Sequence, residues 1–230
     1  GKGFLLGILV SLLVGWAADL AASDPDSPVK TFHERHQAGV RIGLWANAGE
    51  TPPHTDSAGS YETSFKSAAF YFEGFFAFRL ARYAMLELSA GVVNRGSVTF
   101  REAGGTNVGN VLVHPILLQL KVYPLAGGLS RPQPYFLAGG GLYYGRRSVQ
   151  FTTSSQVSYF GLAEQSGTNF NYVVGAGLDW PLSRTIGLEA GAKYMPIEFS
   201  KGLQTIRSYD GVAIVVGIKY LYASHEEGRK

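Results

Sequence analysis

The chain contains no cysteine. Disulfide staples, cysteine-ligated zinc, a thiol nucleophile and a lipid-modified N-terminal cysteine are therefore excluded. Charge is also scarce: 16% of residues are charged, against about 25% in an ordinary soluble domain. A net charge of +3 is too small for the basic surface that nucleic-acid binding requires. Beyond residue 22, no apolar run approaches the roughly 20 residues of a membrane-spanning helix. The densest later run, residues 212–218, is far too short. What is present is glycine (30 of 230 residues), 13% aromatics and 46% hydrophobic residues. That content excludes disorder, and the length fits one domain or two small ones. Low charge with abundant glycine and aromatics points to β-structure in contact with lipid.

The first 22 residues have the layout of a secretory signal. Lys2 precedes an apolar run from Phe4 to Val14, and small residues follow, with cuts possible after Ala17 or Ala22. A retained membrane helix is the alternative, but the run is shorter than a span needs. Residues 23–37 (SDPDSPVKTFHERHQ) are polar with two prolines and form a periplasmic leader.

From Ala38 onward the hydrophobic period is two, which marks strands rather than helices. Val40, Ile42, Leu44 and Ala46 share one face, against Arg41, Gly43, Trp45 and Asn47. Phe70, Phe72, Phe76 and Phe78 oppose Tyr71, Glu73, Ala77 and Arg79. Six further segments, near 86–92, 118–123, 136–145, 171–180, 187–194 and 212–220, repeat the alternation. The connections alternate as well. Residues 50–67, 101–110, 147–168 and 198–208 are long and polar, whereas 80–83, 124–134 and 181–185 are mostly tighter and hold turn residues. Eight strands with long loops at one end and short turns at the other predict an all-β, eight-stranded antiparallel up-and-down transmembrane β-barrel over residues 38–222. The even strand number puts both termini, including the short polar tail 223–230, on the periplasmic side and the long loops outside the cell.

Volume decides which face points outward. An eight-stranded barrel has an interior only just wide enough for side chains. The apolar face carries many large residues, and the polar face is largely Gly, Ala and Ser, so the apolar face meets lipid. Aromatic girdles give a second test. Phe70 and Phe78, Phe136 and Tyr144, and Tyr172 and Trp180 each fall eight residues apart. That spacing spans roughly 20 Å of a tilted barrel wall, close to the apolar band expected. Phe70, Tyr144, Tyr172 and Tyr194 form the loop-side ring; Phe78, Phe136, Trp180 and Tyr220 form the turn-side ring.

The stretches HPILLQLKVYPL (114–125), RPQPYFLAGGGLYYG (131–145) and GAGLDWPLSRTIGLEAGAKY (175–194) resemble the small OmpA/OmpX-type outer-membrane β-barrel family. The resemblance covers residues 38–222 and is specific for fold and poor for function. It implies a bacterial outer-membrane location and a role such as tethering, adhesion or recognition. One departure is that Tyr220-Leu221-Tyr222 continues into ASHEEGRK, where such barrels often end on an aromatic.

Catalytic signals are weak. A few small barrels resemble lipid A hydrolases with a His-Ser-acid set. Here His33 and His36 lie in the leader, His54 in the first long loop and His225 in the tail. His114 sits beside Pro115 at a strand start with no His-x-Ser arrangement, and a base needs a nucleophile within hydrogen-bond reach. No acidic cluster completes a metal site, and no phosphate loop or cofactor motif occurs. The informative charges face inward: Arg41, Arg79, Lys121, Lys193 and Lys219 against Glu73, Glu87, Asp179 and Glu189. They make either a selective pore or a salt-bridged plug. Alternating signs on neighbouring strands (Arg79–Glu87–Lys121 and Glu189–Lys219) favour the plug. The leading function is a non-enzymatic barrel with no cofactor, displaying long loops for recognition, adhesion or assembly with a partner. A narrow conduit for small or apolar solutes, as in OmpW-type barrels, comes second and a lipid-modifying hydrolase third. The expected partners are outer-membrane lipid and lipopolysaccharide, with a protein partner reached through the loops or the N-terminal segment, and no nucleic acid.

Overall fold

The computed structural model describes residues 36–48, 55–58, 61–81, 83–100, 106–125, 132–149, 165–183, 185–203 and 206–222. Residues 1–22, expected as a signal segment, most of the expected leader and the tail 223–230 lie outside the described residues. The strands are β1 (His36–Asn47), β2 (Thr55–Ala58), β3 (Tyr61–Phe65), β4 (Ala68–Ala81), β5 (Ala84–Phe100), β6 (Thr106–Val122), β7 (Gln133–Val149), β8 (Gln165–Pro181), β9 (Ile186–Met195), β10 (Glu198–Leu203), β11 (Ile206–Ser208) and β12 (Gly211–Tyr222). Eight of them close the barrel in the order β1-β4-β5-β6-β7-β8-β9-β12, with β12 returning to pair antiparallel with β1. Closure leaves no open edge, which a membrane-spanning sheet requires. The first strand starts at His36 and runs to Asn47, so two residues assigned to the leader are barrel wall. His36 pairs with Tyr222, and its ring also meets Phe78 edge-on at 5.9 Å.

The long polar connections are partly strands. β3 continues the line of β4 past a break at Lys66 and Ser67, pairing Tyr61 with Phe100 and Phe65 with Gly96 on β5. Backbone pairing of β5 with β6 runs out to Phe100 and Thr106, which shortens the expected loop 101–110 to five residues outside the described set. β7 and β8 likewise extend to Val149 and Gln165, so the third loop is 150–164. Residues 198–208 form the β10–β11 hairpin. Above the lipid band both faces of a strand meet water or loops. Hydrophobic alternation then disappears while hydrogen bonding continues, and a sequence rule based on alternation stops too soon.

The outer wall is apolar. Leu44, Phe70, Phe136, Leu178, Ile214 and Val216 are each more than half exposed, and Val40, Ile42, Phe72, Ile116 and Leu142 are nearly so. A continuous apolar surface of this extent faces lipid, because water would not tolerate it on a monomer. The inner wall differs from the expectation that it is largely Gly, Ala and Ser. Trp45, Tyr71, Phe75, Met85, Tyr123, Tyr135 and Tyr143 are all buried in the lumen. The inward glycines make room for these rings. A Cβ on Gly191 would stand 2.5 Å from the Tyr135 hydroxyl oxygen, and one on Gly211 would overlap the Trp45 indole. Large inward residues fit because a neighbouring strand supplies a gap.

Candidate functional site

The lumen holds the chemistry and divides into two layers. In the turn-side half, seven of the eight barrel strands contribute charges to one network. Arg41 on β1 is its centre, ion-paired to Glu73 on β4, Glu87 on β5 and Glu189 on β9. Its two terminal nitrogens donate to both oxygens of Glu87 at 2.7 and 2.6 Å, the bidentate geometry that suits a guanidinium. Lys193 on β9 lies 2.6 Å from Glu73 and 3.7 Å from Glu87. Lys121 on β6 lies 3.2 Å from both Asp179 on β8 and Glu189. Lys219 on β12 lies 2.5 Å from Asp179 and 3.6 Å from Glu189. Four cations meet four carboxylates, all buried.

Neutral groups complete the layer. The Tyr71 and Tyr123 hydroxyls donate to Glu73 and Asp179, each at 2.5 Å. Phe75 lies 3.7 Å below the Arg41 guanidinium, and the Lys121 ammonium lies 3.7 Å from the Tyr135 ring centre. Gln119 donates to the Ser89 hydroxyl at 2.9 Å. Register explains the balance. Asp179 and Glu189 are direct cross-strand partners of like sign, a destabilising arrangement by itself, and Lys121 and Lys219 bridge both.

Two assignments change. Arg79 is exposed at the turn-side end of β4 and stands outside the buried network. Arg79 pairs with Met85, which faces the lumen, so its inward parity holds, but it sits at the turn-side rim, just before the pairing shifts at Ala81, and is exposed there. The pairing follows strand neighbours in part, since Lys219 on β12 reaches Glu189 on β9 and Arg41 meets its cross-strand partner Glu73, and elsewhere it crosses the lumen. Glu87 sits opposite Gln119, and its cations are Arg41 and Lys193, whereas Lys121 reaches Asp179 and Glu189.

The loop-side half is mostly apolar. Val93, Val98, Val111, Val113, Val173 and Val215 line it, and the Trp45 and Tyr71 rings meet edge-on at 5.5 Å. The segment leading into the β10–β11 hairpin brings Ile197 and Phe199 inward, and Tyr209 stacks edge-on against Phe199 at 5.4 Å and Phe65 at 6.0 Å. The Ile197 amide donates to the Asp210 carboxylate at 2.7 Å, pinning this cap. Among the described residues, Arg95 and Arg147 are the buried charges of this half. These aromatics and Arg95 were not singled out as site residues, although inward parity opposite a glycine marks several of them.

On the outer wall, Phe78, Phe136, Trp180 and Tyr220 are exposed at the turn side. At the loop side Phe70 is exposed, and Tyr144, Tyr172 and Tyr194 are half-buried, with Tyr172 and Tyr194 6.4 Å apart. Phe170, at 77% exposure, is an additional outward aromatic of that ring. His114 lies in the middle of β6, not at a strand start, and faces outward against the Tyr144 ring at 6.2 Å. His33, His54 and His225 lie outside the described residues. Among the described residues, no three His, Asp or Glu side chains converge as metal ligands.

No protein-family model matches the chain, and no curated protein is similar to it in sequence. Among solved structures, the chain is similar to Neisserial surface protein A (12% identity, 81% of this chain and 96% of that one, TM-score 0.53). It is also similar to the outer-membrane protein OprG from Pseudomonas aeruginosa (17% identity, 84% and 98%, TM-score 0.50). At such identities the likeness shows the fold. The chain has the closed eight-stranded barrel of the small bacterial outer-membrane proteins, and its exposed apolar band is the part that sits in lipid.

Proposed function

We propose that the protein is a non-catalytic outer-membrane barrel whose extracellular protrusions, above all the connection 147–168, act in recognition, adhesion or assembly with a partner. The observation that carries this reading is the filled lumen. A balanced ionic layer occupies one half and an aromatic layer the other, which supports a rigid stopper rather than a passage. What remains to act is the set of strand extensions and hairpins beyond the loop-side girdle, where a rigid scaffold displays its functional loops. Lipid and lipopolysaccharide surround the band, and a protein partner would meet the loops or the N-terminal segment.

The test has two arms. Replacing residues 150–164 with a short Gly-Asn turn should leave a folded, heat-modifiable barrel. That variant should lose the partner that crosslinks to the wild type in native membranes. Purified wild type in a planar bilayer should show no steady single-channel conductance. Reproducible conductance would overturn the stopper and favour the narrow conduit.

A further inference from the structure

The two lumen layers differ in charge balance. Every cation of the turn-side network has a carboxylate partner. Among the described residues, Arg95, on β5 in the loop-side layer, has none. It is 3% exposed. Its Nη1 donates to the Trp45 backbone carbonyl at 3.3 Å, and its guanidinium lies 6.0 Å from the centre of the Trp45 ring. Its Nε is buried with no hydrogen-bond partner. A second buried donor in the same layer, the indole Nε1 of Trp45, is also without an acceptor. Buried donors and buried cations are normally paired, so the open edge of this buried guanidinium marks a place suited to an anionic acceptor.

We propose that the loop-side layer of the lumen binds a small soluble oxyanion (a carboxylate, sulfate or phosphate group) on the free edge of Arg95. With Nη1 occupied by the Trp45 carbonyl, the edge formed by Nε and Nη2 is available. That edge presents two parallel N–H groups in the spacing that grips two oxygens of one oxyanion. Valines and aromatics around the site lower the local dielectric, which strengthens a charge-assisted pair. Arg95 is buried on the lumen side of the wall, so headgroups on the outer wall do not reach it. This inference goes beyond the proposed loop function and stands on Arg95 alone.

The experiment uses the full chain folded in lipid nanodiscs, with Trp16→Phe and Trp180→Phe so that Trp45 is the sole tryptophan of the original three. Sodium sulfate is titrated at ionic strength held constant with sodium chloride while Trp45 emission is read. The expected result is a saturable change, with the unfolding midpoint rising in parallel as ligand linkage requires. Arg95→Gln should weaken the sulfate response by about tenfold or more, the loss expected for a charge-assisted hydrogen bond. Arg95→Lys keeps the charge but not the two-pronged edge, and should weaken it by a smaller factor. If Arg95→Gln does not fold, Arg95→Lys carries the comparison. A wild-type response that is linear in sulfate overturns the site without any variant. So does a saturable response that neither substitution changes.

Discussion

The two halves of the lumen solve one packing problem by different means. The turn-side half is filled by charges whose positions must balance, four against four around Arg41. The loop-side half is filled by shape, with Trp45 set against Gly211 and Tyr209 wedged between Phe65 and Phe199. An ionic layer tolerates no single deletion, because each removal strands an opposite charge in low dielectric. A shape-filled layer tolerates substitutions that conserve volume. The same wall thus carries one half that is brittle toward charge and one that is brittle toward size.

The largest effect should come from the centre of the ionic half. Arg41→Met keeps the length of the side chain but leaves Glu73, Glu87 and Glu189 facing one another without their shared cation. Breaking a buried ion pair on one side costs about 3–5 kcal/mol, read as a lower urea midpoint for unfolding from lipid vesicles. Adding Glu87→Gln should cost less than the two changes summed, since the second removes a charge the first left unpaired. Strict additivity would mean that the network does not act as a unit. In the loop-side half, Met195→Leu should cost less than about 1.5 kcal/mol by the same measurement.

A smaller loss is expected on the outer wall, where both halves present the same apolar surface. Ile214 is 62% exposed near mid-strand on β12. Replacing it with Arg places a charge in hydrocarbon, at a cost of about 2–4 kcal/mol near the midplane. If Ile214→Arg folds into bilayers as well as the wild type, the lipid-facing assignment of this wall fails.

The fold was legible because lipid imposes a strict rule on one face of every strand. Phe70, Phe72, Phe76 and Phe78 can only read as a period of two, and seven other segments repeat it. The rule ends where lipid ends. Residues 106–110 stay paired with β5, yet they carry no apolar contrast and read as part of the loop 101–110. Parity placed Arg41, Glu73, Glu87, Lys121, Asp179, Glu189, Lys193 and Lys219 on the inner face and paired Glu189 with Lys219, but not the partners across the lumen, which depend on how strand stagger aligns side chains. Arg79 shares the inward parity of its partner Met85 but stands at the open rim of the barrel, and alternation does not distinguish rim from interior. The inward aromatics were visible as residues but not as a filling. That requires knowing which glycine lies opposite which ring, and therefore the register. Arg95 was hidden by its neighbours, since a charge beyond the girdle in NRGSV looks like solvated loop.

The smallest effects distinguish the inner wall from the outer at the same residue type. Glycine occurs on both, but for different reasons. Gly211 faces the Trp45 indole, and Gly191 faces the Tyr135 hydroxyl at 2.5 Å from where a Cβ would stand. Tyr135 is held by the Lys121 ammonium on its face and by Tyr123 at 6.1 Å, so it has little freedom to retreat. Trp45 is likewise fixed by Tyr71 at 5.5 Å. Alanine at either glycine overfills a packed interior, which costs about 1–3 kcal/mol. Gly74 on β4 pairs with Ala90 on the outer wall, and a Cβ there would meet nothing within 4 Å. Gly74→Ala should therefore change stability by no more than about 0.5 kcal/mol in urea unfolding from vesicles. Equal losses at all three sites would mean that the cost comes from the backbone of a strand glycine, and that the inner glycines are not the gaps into which the rings fit. A loss at Gly191 and Gly211 alone ties both halves of the lumen to the same device, with charge balance added only in the turn-side half.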